Sequence, residues 1–182
     1  MLGALMYENA EGLKADYSIT GTNIKYINHV PFLKKKGFSC DSLANYPYNK
    51  IKKSIDNNCP VLIMGNSLKK MKNHKFLWWT WESLDKYDGG HIWVVNGYCN
   101  MQCTAKNKNN ENDTKIFTTN YVHCNLGWGG SKNGYYIDNV FLANIGANAS
   151  DKTIENITRS TYGTERYYQY NLKIVTNIRP KN

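Results

Sequence analysis

The sequence contains no long hydrophobic run, and its N-terminus has no basic segment followed by an apolar stretch. The first twelve residues, MLGALMYENAEG, carry neither feature. A transmembrane helix needs roughly 20 consecutive apolar residues, and a secretory signal peptide needs a basic segment before an apolar one. The sequence therefore predicts no membrane partner and no signal peptide.

Acidic residues are also scarce, with 14 Asp and Glu against 23 Lys and Arg, which gives a formal net charge of +9. Such a balance suits nucleic acid or an anionic surface. The lysines, however, fall into separate clusters at Lys34–Lys36, Lys50–Lys53, Lys69–Lys75 and Lys106–Lys108. Because no nucleic-acid-binding motif accompanies them, we interpret them as solvated helix faces and loops and expect no nucleic-acid partner.

Cysteine is present in an odd number, so at least one thiol is unpaired within the chain. The five are Cys40, Cys59, Cys99, Cys103 and Cys124. The spacing of Cys99 and Cys103 is too loose for a zinc knuckle, and no second Cys/His pair follows at ligand spacing. We therefore expect no metal and no cofactor, and we interpret most of the cysteines as small buried hydrophobic residues.

The chain has no internal repeat and is long enough for one sizeable core, so residues 1–182 are expected to form a single domain. Apolar periodicity predicts helices over residues 2–11 and 47–57, and a short apolar run predicts a buried strand over residues 60–65. Residues 69–87, which contain three tryptophans, are ambiguous between a short helix and the wall of a groove. Packing in the interior is the preferred role for these tryptophans.

Two strand-like stretches carry a polar residue where an apolar one would be expected: DGGHIWVVN at Asp88–Asn96 and YVHCNLGWGG at Tyr121–Gly130. Because side chains alternate along a strand, we expect His91 of the first and Asn125 of the second to meet on one face of a sheet. A hydrogen bond of ~2.7–3.2 Å would join them, with Trp128 over or beside the pair. An amide that fixes the tautomer and an aromatic wall that excludes water are how a catalytic imidazole is held.

Glycines surround both polar positions. Gly90 directly precedes His91, and it leaves the approach to the imidazole open because it has no side chain. Three glycines allow a tight turn around the tryptophan of the second stretch: Gly127, Gly129 and Gly130. The two stretches together therefore favour a catalytic site over a structural histidine and an isolated turn.

The segments GGHIWVVNGY and VHCNLGWGGSKNGYY resemble the C-terminal half of the streptopain-like cysteine peptidases, a bacterial branch of the papain fold. The resemblance runs from Leu2 to about Phe141. The predicted elements give an α+β class, and the resemblance implies a papain-like domain whose central antiparallel, partly barrel-like sheet has helices on its N-terminal side. Residues 1–45 would then be a remnant of the helical half, and residues 46–182 the sheet half that carries His91.

The resemblance also assigns roles. His91 is implied to be the catalytic histidine and Asn125 its orienting partner, while Gly90, Leu126 and Trp128 support the cleft. The family commonly has a tryptophan directly after the asparagine, where this chain has Leu126, an apolar shield without an indole N–H. The substrate implied is a peptide or protein, and the family is exported, so a secreted or cell-envelope location is expected. The missing export signal would then indicate a chain that starts late.

A cysteine peptidase also needs a thiol at a helix N-terminus, where its pKa falls to roughly 3–7. None of the five cysteines has that setting. Cys40 precedes DSLANYP rather than an apolar helical run, and Cys59 precedes a proline and a buried strand. Cys99 and Cys103 follow the His91 strand, and Cys124 points away from Asn125.

By resemblance the nucleophile lies upstream of Leu5. We therefore expect the C-terminal part of an endopeptidase, inactive by itself, with the N-terminal half or a propeptide as its partner. Leu2, Leu5 and Met6 would then be exposed. The sequence leaves an alternative open, in which the chain is a non-catalytic remnant of the same fold that binds a peptide or protein.

Overall fold

The computed structural model describes residues 2–19, 21–107, 110–150 and 167–181. In this part of the chain the helices come first: α1 (Leu2–Gly12), α2 (His29–Lys35, after a 3-10 turn at Tyr26–Asn28) and α3 (Tyr48–Asp56). The strands are β1 (Asp16–Ser18), β2 (Gly21–Asn23), β3 (Phe38–Ser39), β4 (Ala44–Asn45), β5 (Val61–Phe76), β6 (Trp79–Asn107), β7 (Asn110–Asn125), β8 (Gly134–Ile137), β9 (Phe141–Leu142), β10 (Ala149–Ser150), β11 (Tyr167–Tyr168), β12 (Tyr170–Val175) and β13 (Arg179–Pro180). This arrangement of few helices and much sheet confirms the α+β class.

A seven-stranded sheet in the order β10-β8-β7-β6-β5-β12-β4 forms the centre of the molecule. Every pair of neighbours in it is antiparallel. The predicted partly barrel-like closure is wrong, because the edge strands β10 and β4 do not pair with each other. Each of these edge strands has two residues, so few backbone groups are available to join the two ends of the sheet.

The core lies between one face of this sheet and α3. Trp93 on β6 and Val122 and Cys124 on β7 point to that face, and all three are buried. Ile51 of α3 belongs to the same hydrophobic cluster, as the periodic pattern of that helix predicts. Removing these side chains from water stabilises the sheet at roughly 25 cal/mol per Å² of apolar surface.

The three central strands extend far beyond the core as two hairpin arms. β5 and β6 stay paired from Val61–Val95 to Phe76–Trp79. We call residues 68–88 the tryptophan arm and residues 99–121, at the other end of β6, the second arm. The predicted strand over residues 60–65 is therefore correct but too short, and residues 69–87 form strands and a turn instead of a helix.

The preferred packing role for the arm's tryptophans is wrong. The exposed fractions are 81% for Trp78, 70% for Trp79 and 50% for Trp81. The arm has only two strands and no layer packed over it in the described structure, so there is no interior for these side chains to enter.

Two further expectations concern the N-terminal helix and the membrane. The predicted exposure of Leu2, Leu5 and Met6 concerns side chains outside the described residues, so it stays a prediction. In the described part of the chain no helix has the length and apolar character needed to cross a membrane.

A buried histidine gives the fold a predicted pH dependence. His29 is only 7% exposed, and burial lowers its pKa below the ordinary value of 6.5, partly offset by the carbonyl of Tyr26, which accepts from Nδ1 at 3.1 Å. The unfolded chain therefore binds a proton at His29 more readily than the folded one. The contribution to stability is present above pH 6.5 and is lost as the pH falls from 6.5 to the lowered folded pKa.

We expect the free energy of unfolding to fall by up to about 1.4 kcal/mol per pH unit in that window because of this group. Urea unfolding at a series of pH values, compared with His29→Gln, measures it. Parallel pH profiles for the two proteins would show that His29 contributes nothing.

Candidate active site

His91 lies on β6 in the middle of the sheet, and three aromatic rings enclose its imidazole. Trp128 stacks on it with ring centroids 4.6 Å apart and planes at 25°. Tyr168 lies at 5.4 Å and 26°, and Trp93 at 6.1 Å and 15°. The side chain is half-buried. The rings cover the faces of the imidazole and restrict its rotation, so its edge, with the two nitrogens, is the part that can carry chemistry.

Gly65, directly across from His91 on β5, makes this packing possible. A Cβ atom at Gly65 would lie 2.6 Å from Cδ2 of Leu172 and 3.2 Å from Cη2 of Trp93. The missing side chain therefore admits the aromatic cluster against the strand. The sequence reasoning missed both Gly65 and Tyr168; a glycine at the end of a buried apolar run was the available signal for the first.

The Nε2 atom of His91 lies 3.0 Å from the backbone carbonyl oxygen of Leu126. A carbonyl oxygen can only accept, so Nε2 carries the proton of this hydrogen bond. In the neutral imidazole the lone pair is then on Nδ1, which is the nitrogen able to take a proton.

The turn that presents this carbonyl is held by two asparagine side chains. Oδ1 of Asn133 accepts the backbone N–H of Leu126 at 3.0 Å, and Oδ1 of Asn125 accepts that of Gly127 at 3.0 Å. Gly127 has a φ of 81°, a left-handed conformation that favours glycine. Asn133 was also missed from the sequence, where nothing local distinguishes it from other polar turn residues.

The expected side-by-side meeting of His91 and Asn125 does not agree with the strand register. Asn125 pairs with Val94, one position out of phase with His91 and Trp93, and Cys124 pairs with Val95. Paired residues share a face, so the exposed Asn125 side chain belongs to the face opposite the core. The prediction that the two side chains share a face is therefore wrong. Alternation within each strand was correct, but it does not fix the register between strands.

The remaining predicted site residues lie around the imidazole. Trp128 is stacked on His91, which agrees with its predicted position. Leu126 is buried at 2% exposure and contributes its carbonyl oxygen as well as an apolar side chain. A Cβ atom at Gly90 would lie 3.3 Å from Nδ2 of Asn66 and 3.4 Å from the hydroxyl of Tyr26. Glycine therefore keeps the cleft beside His91 from being filled.

That cleft has a volume of about 710 Å³ and a lining slightly more polar than apolar, to which Asn66, Tyr26, Lys86 and Asp88 contribute polar groups. The Tyr26 hydroxyl donates to Oδ1 of Asn66 at 2.9 Å, and burial raises the pKa of Tyr26 to about 12. Lys70 pairs with Asp88 at 2.7 Å and, together with the Gly89 N–H, lowers the pKa of that carboxyl. A volume of this size is in the range of ligand-binding clefts, roughly 300–1,000 Å³.

The thiols have environments unlike that of a nucleophile. Cys124 is fully buried in the core and burial raises its pKa, while burial also raises that of Cys40. Cys59 is buried before β5, and its thiol donates to the carbonyl of Asn57. The exposed Cys99 and Cys103 lie on the second arm, 8 and 12 residues along β6 from His91, which is roughly 26 and 40 Å along an extended strand.

Among the described residues, no group of three or more histidine, cysteine, aspartate or glutamate side chains is arranged to hold a metal ion.

A model of the Peptidase C10 family matches residues 1–136 of the chain. The matched region includes α1, both strand-like stretches and the turn that contacts His91; Tyr168 lies beyond it. A search of curated proteins and a search of solved structures each found no match.

Proposed function

Because the chain belongs to the Peptidase C10 family, the streptopain family of cysteine peptidases, we propose that it supplies the histidine side of an active site for peptide-bond hydrolysis. The main support for this proposal is the environment of the His91 side chain. Its ring is stacked against Trp128, and its Nε2 is bonded to the Leu126 carbonyl beside a polar cleft.

In the proposed reaction, Nδ1 of His91 takes the proton of a cysteine thiol, and the thiolate attacks the peptide carbonyl carbon. As the C–N bond breaks, the imidazolium returns the proton to the leaving amine, which leaves an acyl thioester. His91 then removes a proton from water, which attacks the thioester and regenerates the thiol. The C–S bond then breaks, the acyl product leaves as a carboxylic acid, and the imidazolium returns its proton to the departing thiolate. Nε2 stays bonded to Leu126 throughout, so the ring keeps the orientation that each of these proton transfers needs.

We propose that Asn125 acts as a positioning residue through the turn, together with Asn133. Each side chain fixes a backbone N–H next to the carbonyl that holds His91. This replaces the role of a direct amide partner expected from the sequence.

Replacement of Asn133 by alanine is expected to lower kcat about tenfold to a hundredfold in the catalytically complete protein, because small displacements of a catalytic group have effects of this size. KM should change little, since Asn133 does not line the cleft. Asn133→Asp keeps the oxygen that accepts from Leu126 and should recover much of the activity. Equal losses in both variants, or a loss confined to KM, would show that Asn133 does not act by positioning the turn.

The proposed nucleophile is not among the five cysteines of this chain. The raised pKa values of Cys40 and Cys124, the burial of Cys59 and the distant strand positions of Cys99 and Cys103 support this. The thiol would then come from a further polypeptide segment. Residues 46–182 would form the sheet half of a papain-like domain and residues 1–45 part of its helical half, and a secreted or cell-envelope location would follow from the family.

A thiol-directed covalent peptide inhibitor, mixed with the 182-residue chain, tests this assignment. We expect no rapid stoichiometric labelling of any cysteine, as measured by intact-mass spectrometry and peptide mapping. Rapid labelling of one cysteine that disappears in His91→Ala would identify a nucleophile inside the chain and overturn the proposal.

The alternative is a non-catalytic module that binds a peptide or protein in the same cleft. The environments of the five thiols favour it as much as they favour an external nucleophile. An experiment that joins the chain to a thiol-bearing segment distinguishes the two functions. A non-catalytic module would bind peptide without cleaving it, whereas the proposed peptidase would form a covalent adduct with the inhibitor.

A further inference from the structure

The tryptophan arm ends in a cluster of exposed apolar side chains. Phe76 is 68% exposed, Leu77 66%, Trp78 81% and Trp79 70%. Phe76 and Trp79 are paired across the two strands, and Leu77 and Trp78 form the turn between them. Solitary exposed apolar residues are ordinary on protein surfaces, but four consecutive ones at the end of a projecting hairpin form a contiguous apolar tip.

The turn itself is unfavourable for folding. Leu77 has a φ of 52°, and a two-residue hairpin turn with a left-handed first residue strongly prefers glycine there. A bulky side chain in this conformation is uncommon and strained. The two turn positions thus carry leucine and tryptophan, although glycine and a small polar residue would give a more stable turn. This indicates that the apolar tip has a role other than stabilising the fold.

Positive charge lies directly behind the tip. The β5 strand of the arm carries four lysines and no acidic residue: Lys69, Lys70, Lys72 and Lys75. Lys75 adjoins Phe76, and Lys72 lies four positions back, roughly 13 Å along the strand. The acidic residues of the arm are on β6, at Glu82 and beyond, at least three positions from Trp79: Glu82, Asp85 and Asp88. Of these, Asp88 is paired with Lys70.

An apolar, tryptophan-rich tip with Lys72 and Lys75 behind it is complementary to the surface of a lipid bilayer, where apolar chains lie beneath charged headgroups. Tryptophan prefers the interface between headgroups and acyl chains, and lysines just outside it are attracted to anionic headgroups. Single-stranded nucleic acid would instead need open aromatic faces along a basic groove. Here the face of Trp81 is stacked on His74 at 5.3 Å and 11°, and the free aromatic surface is concentrated at the tip.

We propose that the tip of the tryptophan arm is a membrane-binding element that inserts Phe76, Leu77, Trp78 and Trp79 into the interface of an anionic phospholipid bilayer. Lys72 and Lys75 bind the phosphate groups above it. The strands stay outside the hydrocarbon core, so no spanning segment is required. The expectation of no membrane partner rested on the absence of such a segment. This proposal does not depend on the peptidase assignment.

Flotation of the full chain with vesicles of phosphatidylglycerol and phosphatidylcholine in equal amounts, and with pure phosphatidylcholine, tests the proposal. We expect binding to the first, with a blue shift of tryptophan fluorescence, and much weaker binding to the second. Leu77→Gly/Trp78→Ser installs a favourable hairpin turn, so it should fold. Because it lacks two of the inserted apolar side chains, it should bind at least about tenfold less. Lys72→Gln/Lys75→Gln should lower binding about 25-fold, at about fivefold per lysine.

The matched control is Ile116→Ala/Phe117→Ala, which removes two exposed apolar side chains, at 68% and 54%, from the second arm. It should bind vesicles as the unchanged chain does. Undiminished binding by the turn variant, equal binding to both vesicle types, or equal loss in the control would overturn the proposal. The proposal would also be overturned if the chain did not bind vesicles at all, including the case in which it binds a single-stranded oligonucleotide instead.

Discussion

Replacement of His91 by alanine is expected to lower kcat/KM for a peptide about 1,000-fold in a protein that joins this chain to the thiol-bearing segment, because a positioned acid–base group contributes roughly 10²–10⁴-fold. The same protein without the substitution should cleave the peptide. The 182-residue chain alone should show no cleavage, with or without reductant, since it would lack the covalent route. Hydrolysis of a fluorogenic peptide by the chain joined to the thiol-bearing segment, with and without the substitution, and by the 182-residue chain alone measures these results.

His123→Ala is the matched control. His123 lies on the neighbouring strand β7, is partly exposed, and its Nδ1 is 2.6 Å from Oδ1 of Asn96. It lies on the opposite face of the sheet from the core, so its loss should leave kcat/KM essentially unchanged. A similar loss for both histidines would point to general damage to the sheet, and full activity in His91→Ala would remove the catalytic assignment.

Replacement of Trp93 by alanine is expected to lower the free energy of unfolding by about 3–5 kcal/mol, the usual cost of deleting a buried aromatic side chain. Trp93 is 2% exposed, stacks in the cluster around His91 and meets Phe141 with ring centroids 5.0 Å apart. Its removal leaves a cavity that the rigid sheet beneath it can fill only in part. Urea unfolding followed by circular dichroism measures the change.

Trp79→Ala is the comparison for this prediction, since Trp79 is the same residue type on the same strand but 70% exposed. Surface substitutions away from special features usually change stability by less than about 0.5 kcal/mol. A small effect at Trp93, or an equally large effect at Trp79, would mean that the core is not centred where the structure has it.

Within-strand patterns were predictable from the sequence, and between-strand geometry was not. Period-two alternation correctly separated Trp93 and Val95 from Val94. The register shift between Val95 and Gly97, opposite β7, then decides which residues face each other. A bulge of this kind has no clear signature in the local sequence. The sequence alone therefore does not show that Asn125 and His91 lie on opposite faces of the sheet.

Tyr168 and the tryptophan arm were also not predicted from the sequence, because neither has a local pattern. Tyr168 reaches His91 from a strand 77 positions later in the chain, and packing over such separations has no local pattern. The tryptophan arm was missed because a two-stranded hairpin outside the core has no buried face and therefore no clean alternation of apolar and polar residues. What could be predicted were the elements with a buried side, such as α3 and the start of β5.

The Leu126 carbonyl accepts from Nε2 of His91, and the proposed mechanism therefore requires Nδ1 to be the basic nitrogen. Long-range proton–nitrogen NMR correlation of the His91 ring in the 182-residue chain, assigned with His91→Ala and recorded where the imidazole is neutral, tests it directly. We predict the tautomer with the proton on Nε2, as the 3.0 Å contact requires. A ring protonated on Nδ1 would contradict the proposed mechanism.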